Sequence, residues 1–137
     1  MENIQKTLET IVNYIKKEFN PLVIILFGSY SRNSQNEESD IDIAFISNDL
    51  DKKKLFMAKQ ELEKQVKKDV DLINIKSDDV YDSIKYEILM NGKVLYCIDD
   101  YRYELCKIDM IREYIELNEG RQDIINRVKN GGTIYGK

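Results

Sequence analysis

The chain has 137 residues, 42% of them apolar and 34% charged, and a net charge of -4. That size and balance predict one globular domain spanning 1–137, and the acidic surplus argues against a protein that grips nucleic acid by its backbone. With no histidine, and with Cys97 and Cys106 outside any CxxC spacing, zinc binding and Ser-His or Cys-His catalysis are excluded, and both cysteines read as reduced and structural.

Ile4, Leu8, Ile11, Val12, Ile15 and Phe19 recur at helical spacing. Asn20-Pro21 ends that helix, because proline pushes the residue before it out of helical geometry. Leu22 to Phe27 is an unbroken apolar run, the pattern of a buried strand, and Gly28-Ser29 closes it. Residues 33–39 are polar and loop-like, and Asp40 to Ser47 is the second predicted strand. A helix over 51–68 carries Leu55, Ala58, Leu62 and Val66 on its apolar stripe, and the basic runs Lys52–Lys54 and Lys67-Lys68 read as its solvated face. Val70 to Ile75 predicts a third strand. Ser77 is the expected N-cap of a helix reaching Asn91, with Gly92 at its end. Lys93 to Ile98 predicts a fourth strand.

A long helix follows over about 101–130, with Gly120 as an expected interruption and Gly131-Gly132 as its stop. Tyr101, Leu105, Ile108, Ile111, Ile115, Ile124 and Val128 form its expected core-packing stripe, and the tail GGTIYGK reads as flexible. The alternation predicts an α/β (or α+β) domain with a small mixed sheet of about four strands flanked by helices. No segment has the length and apolarity of a membrane span, and Glu2, Lys6 and Glu9 at the N-terminus are unlike a signal peptide. A cytoplasmic location is the expectation.

Two aspartates stand inside an otherwise apolar strand. Side chains alternate along a strand, so Asp40 and Asp42 share one face, roughly 7 Å apart, while Ile41, Ile43 and Phe45 supply the core from the other. Two like charges at that spacing repel unless a counter-charge joins them. A hard divalent cation such as magnesium takes carboxylate oxygens and substrate phosphates together. Asp71, within the third strand, reaches the same site if that strand lies beside the second, and three carboxylates suffice for two metal ions. Asp69 competes for the role but sits at the helix–strand boundary.

Gly28 and Ser29 suit the other half of such chemistry. Backbone N–H groups at a strand-to-helix turn, with the Ser29 hydroxyl, hold phosphate, and Arg32 lies one turn further on. Each feature alone is ordinary. Their conjunction at a fixed gap is expected by chance in roughly one in several hundred chains of this length.

Gly28-Ser29, ten intervening residues and Asp40-Ile41-Asp42 resemble the signature of the DNA polymerase β-like nucleotidyltransferase superfamily. The order of strand, Gly-Ser turn, Asp-x-Asp strand, helix and strand with a third Asp is similar to its minimal nucleotidyltransferase branch, over a core of about 20–98. The resemblance implies a polymerase β-like fold and transfer of a nucleoside monophosphate, AMP from ATP, with pyrophosphate leaving. It implies Asp40, Asp42 and Asp71 as ligands of two magnesium ions, with Asp71 helping to deprotonate the acceptor hydroxyl. It implies Gly28, Ser29, Arg32 and Ser39 as the nucleotide-binding set. Asn33 stands where many relatives follow the arginine with glycine.

Members of the branch are often antitoxins of a HEPN-domain ribonuclease toxin, and some transfer AMP to a tyrosine of that toxin. Two alternatives stand beside this expectation. One is neutralisation by binding alone. The other is nucleotidyl transfer to a small molecule, for which the chain looks short.

Overall fold

The computed structural model describes residues 4–28 and 40–129, with side chains of the last helix described through Glu116. Ser29, Arg32, Asn33, Ser39 and the GGTIYGK tail lie outside the described residues.

The first helix, α1 (Ile4–Phe19), buries Ile11, Ile15 and Phe19. It stops where the sequence demands. Asn20 takes a left-handed φ of 47°, which asparagine tolerates better than most residues, and Pro21 follows. The apolar run becomes β1 (Val23–Phe27), an interior strand with neighbours on both sides. β2 (Ile41–Ile46) pairs with it antiparallel, and α2 (Lys52–Val66) then carries the chain back. The Asp51 carboxylate caps α2 by accepting the Lys54 N–H. β3 (Val70–Asn74) pairs parallel with β2, the arrangement that a crossover helix allows. After α3 (Asp82–Asn91), β4 (Lys93–Cys97) pairs antiparallel with the free edge of β1. The sheet order is β3-β2-β1-β4, and α4 (Asp100–Lys129) ends the described chain.

Ser77 does not cap α3. Its hydroxyl accepts the Asp79 N–H and its own N–H bonds the Asn74 carbonyl, so it organises a turn. The helix begins five residues beyond it, after Tyr81. Nor does Gly120 interrupt α4, which runs through it unbroken.

Two apolar cores sandwich the sheet. On one side α1 and α2 cover Ile24, Leu26, Ile41, Ile43, Phe45, Val70 and Leu72. On the other, α3 and α4 close over Val23, Ile25, Ala44 and Ile46 through Ile88, Leu89 and Tyr103. This second core corrects the expectation of a strand apolar on one face only. β2 is buried on both faces beyond Asp42, and within the strand only Asp42 remains partly open.

The stripe expected on α4 is corrected as well. Tyr103, Cys106, Met110 and Ile111 pack into the second core, whereas Tyr101, Leu105, Ile108 and Ile115 face outward. Both sets recur at helical spacing, and periodicity alone does not say which of two apolar faces meets the sheet.

Candidate active site

The strand register assembles the acidic positions. Asp42 lies opposite Phe27 of β1 on one side and opposite Asp71 of β3 on the other. Neighbouring strands run about 4.8 Å apart, so the two carboxylates leave adjacent backbones on the same face. That face is the one covered by α3 and α4 further along the sheet. At this end Asp71 is exposed and Asp42 half-buried. Asp40 is exposed, two residues before Asp42, ahead of the first strand residue. Asp69 enters through its backbone, whose carbonyl accepts the Ile41 N–H at 2.9 Å and continues the β2–β3 ladder.

Gly28 ties the turn to the acids. Its φ is +75°, a conformation that side chains with a Cβ rarely adopt. A Cβ placed there would sit 2.0 Å from Asp42 Oδ2. Glycine is therefore required twice over, by backbone conformation and by the carboxylate that fills the space. The Gly-Ser pair and the Asp-x-Asp strand are two sides of one contact.

A helix fixes where β3 begins. The Glu63 carboxylate on α2 accepts the Val70 N–H at 2.9 Å and the Lys59 ammonium at 2.5 Å. The Lys59 bond, aided by the Val70 N–H, holds Glu63 below its usual carboxylate range. Bonding to Glu63 lifts Lys59 in turn, and the fields of Asp71 and Asp69 add to that rise. Lys59 thus lies within electrostatic reach of the acidic end of β3. The Lys59–Glu63 spacing of four is visible in sequence as a helix pair, but its link to Val70 is not.

The far ends of the strands meet in a buried polar knot. Ser47 Oγ donates to the Phe19 carbonyl at 2.6 Å, and Asn74 Nδ2 donates to the carbonyls of Ser47 and Asp49 at 3.0 and 3.1 Å. Asn74 Oδ1 accepts the Ser47 and Lys76 N–H groups. A cavity of about 450 Å³ opens beside this knot, lined by Leu22, Ile46, Lys76 and Arg102 among others. Its nearest lining residue on β2, Ile46, is four strand residues from Asp42, about 13 Å along the strand.

The donors at the acidic end are all carboxylate oxygens, the set that a hard divalent cation takes. Asp42 and Asp71 form a side-by-side pair with Asp40 next along the chain. Among the described residues no three acidic or cysteine side chains already stand at metal-holding spacing. The residues fit such an ion as an open platform, not as a finished cage.

A family profile described as polymerase beta, nucleotidyltransferase matches residues 9–101. The chain is 36% identical over 109 residues to the protein adenylyltransferase MntA of Shewanella oneidensis, covering 77% of this chain and 75% of that protein. A crystal structure of a toxin–antitoxin with AMP-PNP superposes with a TM-score of 0.77 at 31% identity, covering 88% of this chain and 97% of that one. A tri-AMPylated Shewanella oneidensis HEPN toxin in complex with its MNT antitoxin gives a TM-score of 0.74 at 29% identity, covering 91% and 98%. The four-stranded mixed sheet, the glycine packed on Asp42 and the profile match agree, and the chain belongs to the polymerase beta nucleotidyltransferase family.

Proposed function

We propose that this protein is an adenylyltransferase that moves AMP from ATP to a tyrosine hydroxyl of a partner HEPN ribonuclease toxin, and so acts as its antitoxin in the cytoplasm. The observation that carries the reading is the Gly28–Asp42–Asp71 arrangement, a glycine turn packed on one of two register-paired carboxylates. Similarity to MntA and to toxin–antitoxin structures, one with AMP-PNP and one with an AMPylated toxin, supports the nucleotide and the acceptor.

Asp40, Asp42 and Asp71 would hold magnesium, with oxygens enough for two ions. The bound metal supplies positive charge against the triphosphate. In the transfer the acceptor oxygen attacks the α-phosphorus, the bond from that phosphorus to the β-phosphate oxygen breaks, and pyrophosphate leaves with the electron pair. Asp71, the more exposed of the pair, takes the acceptor's proton. The Gly28 turn, with Ser29, Arg32 and Ser39 beyond it, holds the phosphates and orients the leaving group.

Labelled ATP, magnesium and the toxin test this directly. Label should pass to the toxin and appear on tyrosine, and Asp42→Ala should abolish it. Transfer unchanged in Asp42→Ala, or no transfer from any nucleotide, overturns the assignment. Full neutralisation of the toxin by the Asp40→Ala, Asp42→Ala double variant without ATP would establish binding alone as the antitoxin activity.

A further inference from the structure

Asp42 and Asp71 are held in place by different means. Asp42 lies on an interior strand, and Gly28 packs on it from the β1 side. Asp71 lies on β3, the terminal strand of the sheet, with a neighbouring strand on one side only. The spacing of the two carboxylates therefore depends on how firmly the start of β3 is fixed.

One side chain fixes it. In the parallel ladder the Ile41 N–H donates to the Asp69 carbonyl, so the next residue, Val70, turns its own N–H away from β2 toward the open edge. The Glu63 carboxylate accepts that N–H at 2.9 Å. The main-chain carbonyl of Glu63 accepts the Lys67 N–H at 2.9 Å and closes α2, with Lys67 at a left-handed φ of 59°. Glu63 thus holds both ends of the connection 67–69, the helix by its main chain and the strand by its side chain. Lys59, one turn back, grips the same carboxylate at 2.5 Å and steadies it. Val70 points into the core beneath α1 and α2, and Asp71 points to the opposite face. The influence of Glu63 on Asp71 therefore passes through the backbone.

We propose that Glu63 is a positioning residue for the transfer: its bond to the Val70 N–H fixes the start of β3 and so sets the Asp71 carboxylate at the spacing from Asp42 that a shared cation needs. This rests on the metal-dependent transfer proposed above and adds a residue outside the Gly-Ser and Asp-x-Asp motifs. Groups that hold metal-binding side chains in place are worth about 10–100-fold in metal affinity or activity.

The test is a double-mutant cycle between Glu63 and Asp71 in the full chain, read by Mn2+ affinity as well as by rate. Glu63→Leu keeps the helix and the volume but removes the acceptor, and circular dichroism checks that it is folded. Its Mn2+ affinity, from the electron paramagnetic resonance of the free ion, should fall about 10-fold. The kcat for AMP transfer should fall by about the same factor, with little change in KM for ATP. In an Asp71→Ala background the same substitution should change neither. Glu63→Gln, which keeps an oxygen facing Val70, should retain most of both. Glu63→Asp keeps the charge but withdraws the carboxylate by one methylene. It should lose as much as Glu63→Leu, and it carries the cycle if the leucine variant does not fold. A loss that recurs in full in the Asp71→Ala background marks a general structural role and overturns the proposal. So does parental Mn2+ affinity in Glu63→Leu, or a parent chain that binds no Mn2+. If the parent transfers no AMP while the Mn2+ cycle behaves as stated, the hold of Glu63 on Asp71 stands and the adenylyltransferase reading falls.

Discussion

Gly28 shows how one residue can link two motifs. In sequence it is punctuation after a strand; in the fold it is the only residue type that clears the Asp42 carboxylate. Gly28→Ala should lower the transfer rate tenfold or more, roughly, and cost about 1–3 kcal/mol of stability, because the φ is strained and Asp42 must move. Initial rates and thermal unfolding check both parts. Tyr103 tests the second core. Burial there, aided by Glu104, raises its phenol from 10.0 to about 12. The neutral form is the one that the fold favours, so its contribution is intact below pH 10 and is lost as pH rises toward 12. Absorbance titration should show a tyrosine ionising near pH 12, and Tyr103→Phe should remove that step.

At the scale of elements, the β2–β3 pairing depends on groups that no motif contains. Glu63 holds the first residue of β3 from α2, and Asn74 holds its last against Ser47. Asn74→Ala leaves several buried backbone groups unpaired and should cost about 2–3 kcal/mol, read from the denaturant midpoint. Glu63→Gln should cost about 1 kcal/mol near neutral pH. The depressed Glu63 ionisation gives the sign of the pH effect. Its stabilisation is present above the ordinary carboxylate range and is lost as pH falls through the lowered value. The parent should therefore lose stability in acid more steeply than the Gln variant. The Ser77 expectation failed for a related reason. A serine can cap a helix or a turn with the same hydroxyl, and here the turn after Asn74 takes it.

Across the whole molecule, two apolar cores hold the sheet, and the acidic end lies outside both. Metal removal should therefore abolish transfer and lower the thermal midpoint only by the few degrees that loss of a bound ion implies, without unfolding the domain, a contrast that chelation followed by calorimetry measures. No described helix is long and apolar enough to cross a membrane.

Local order was readable from the chain because its signals are local. Asn20-Pro21 marked a helix end, and the apolar run marked β1. What required the tertiary structure was every question of which face meets what. Asp71 joins Asp42 only through the parallel register of β3 on β2. Ala44 and Ile46 are buried only because α3 and α4 cover a face that alternation had left to solvent. On α4 the sheet took Tyr103 and Met110 and left Tyr101, Leu105 and Ile108 outside. Periodicity is a property of neighbouring residues, while the choice between two apolar faces is made by contacts between segments far apart in the chain.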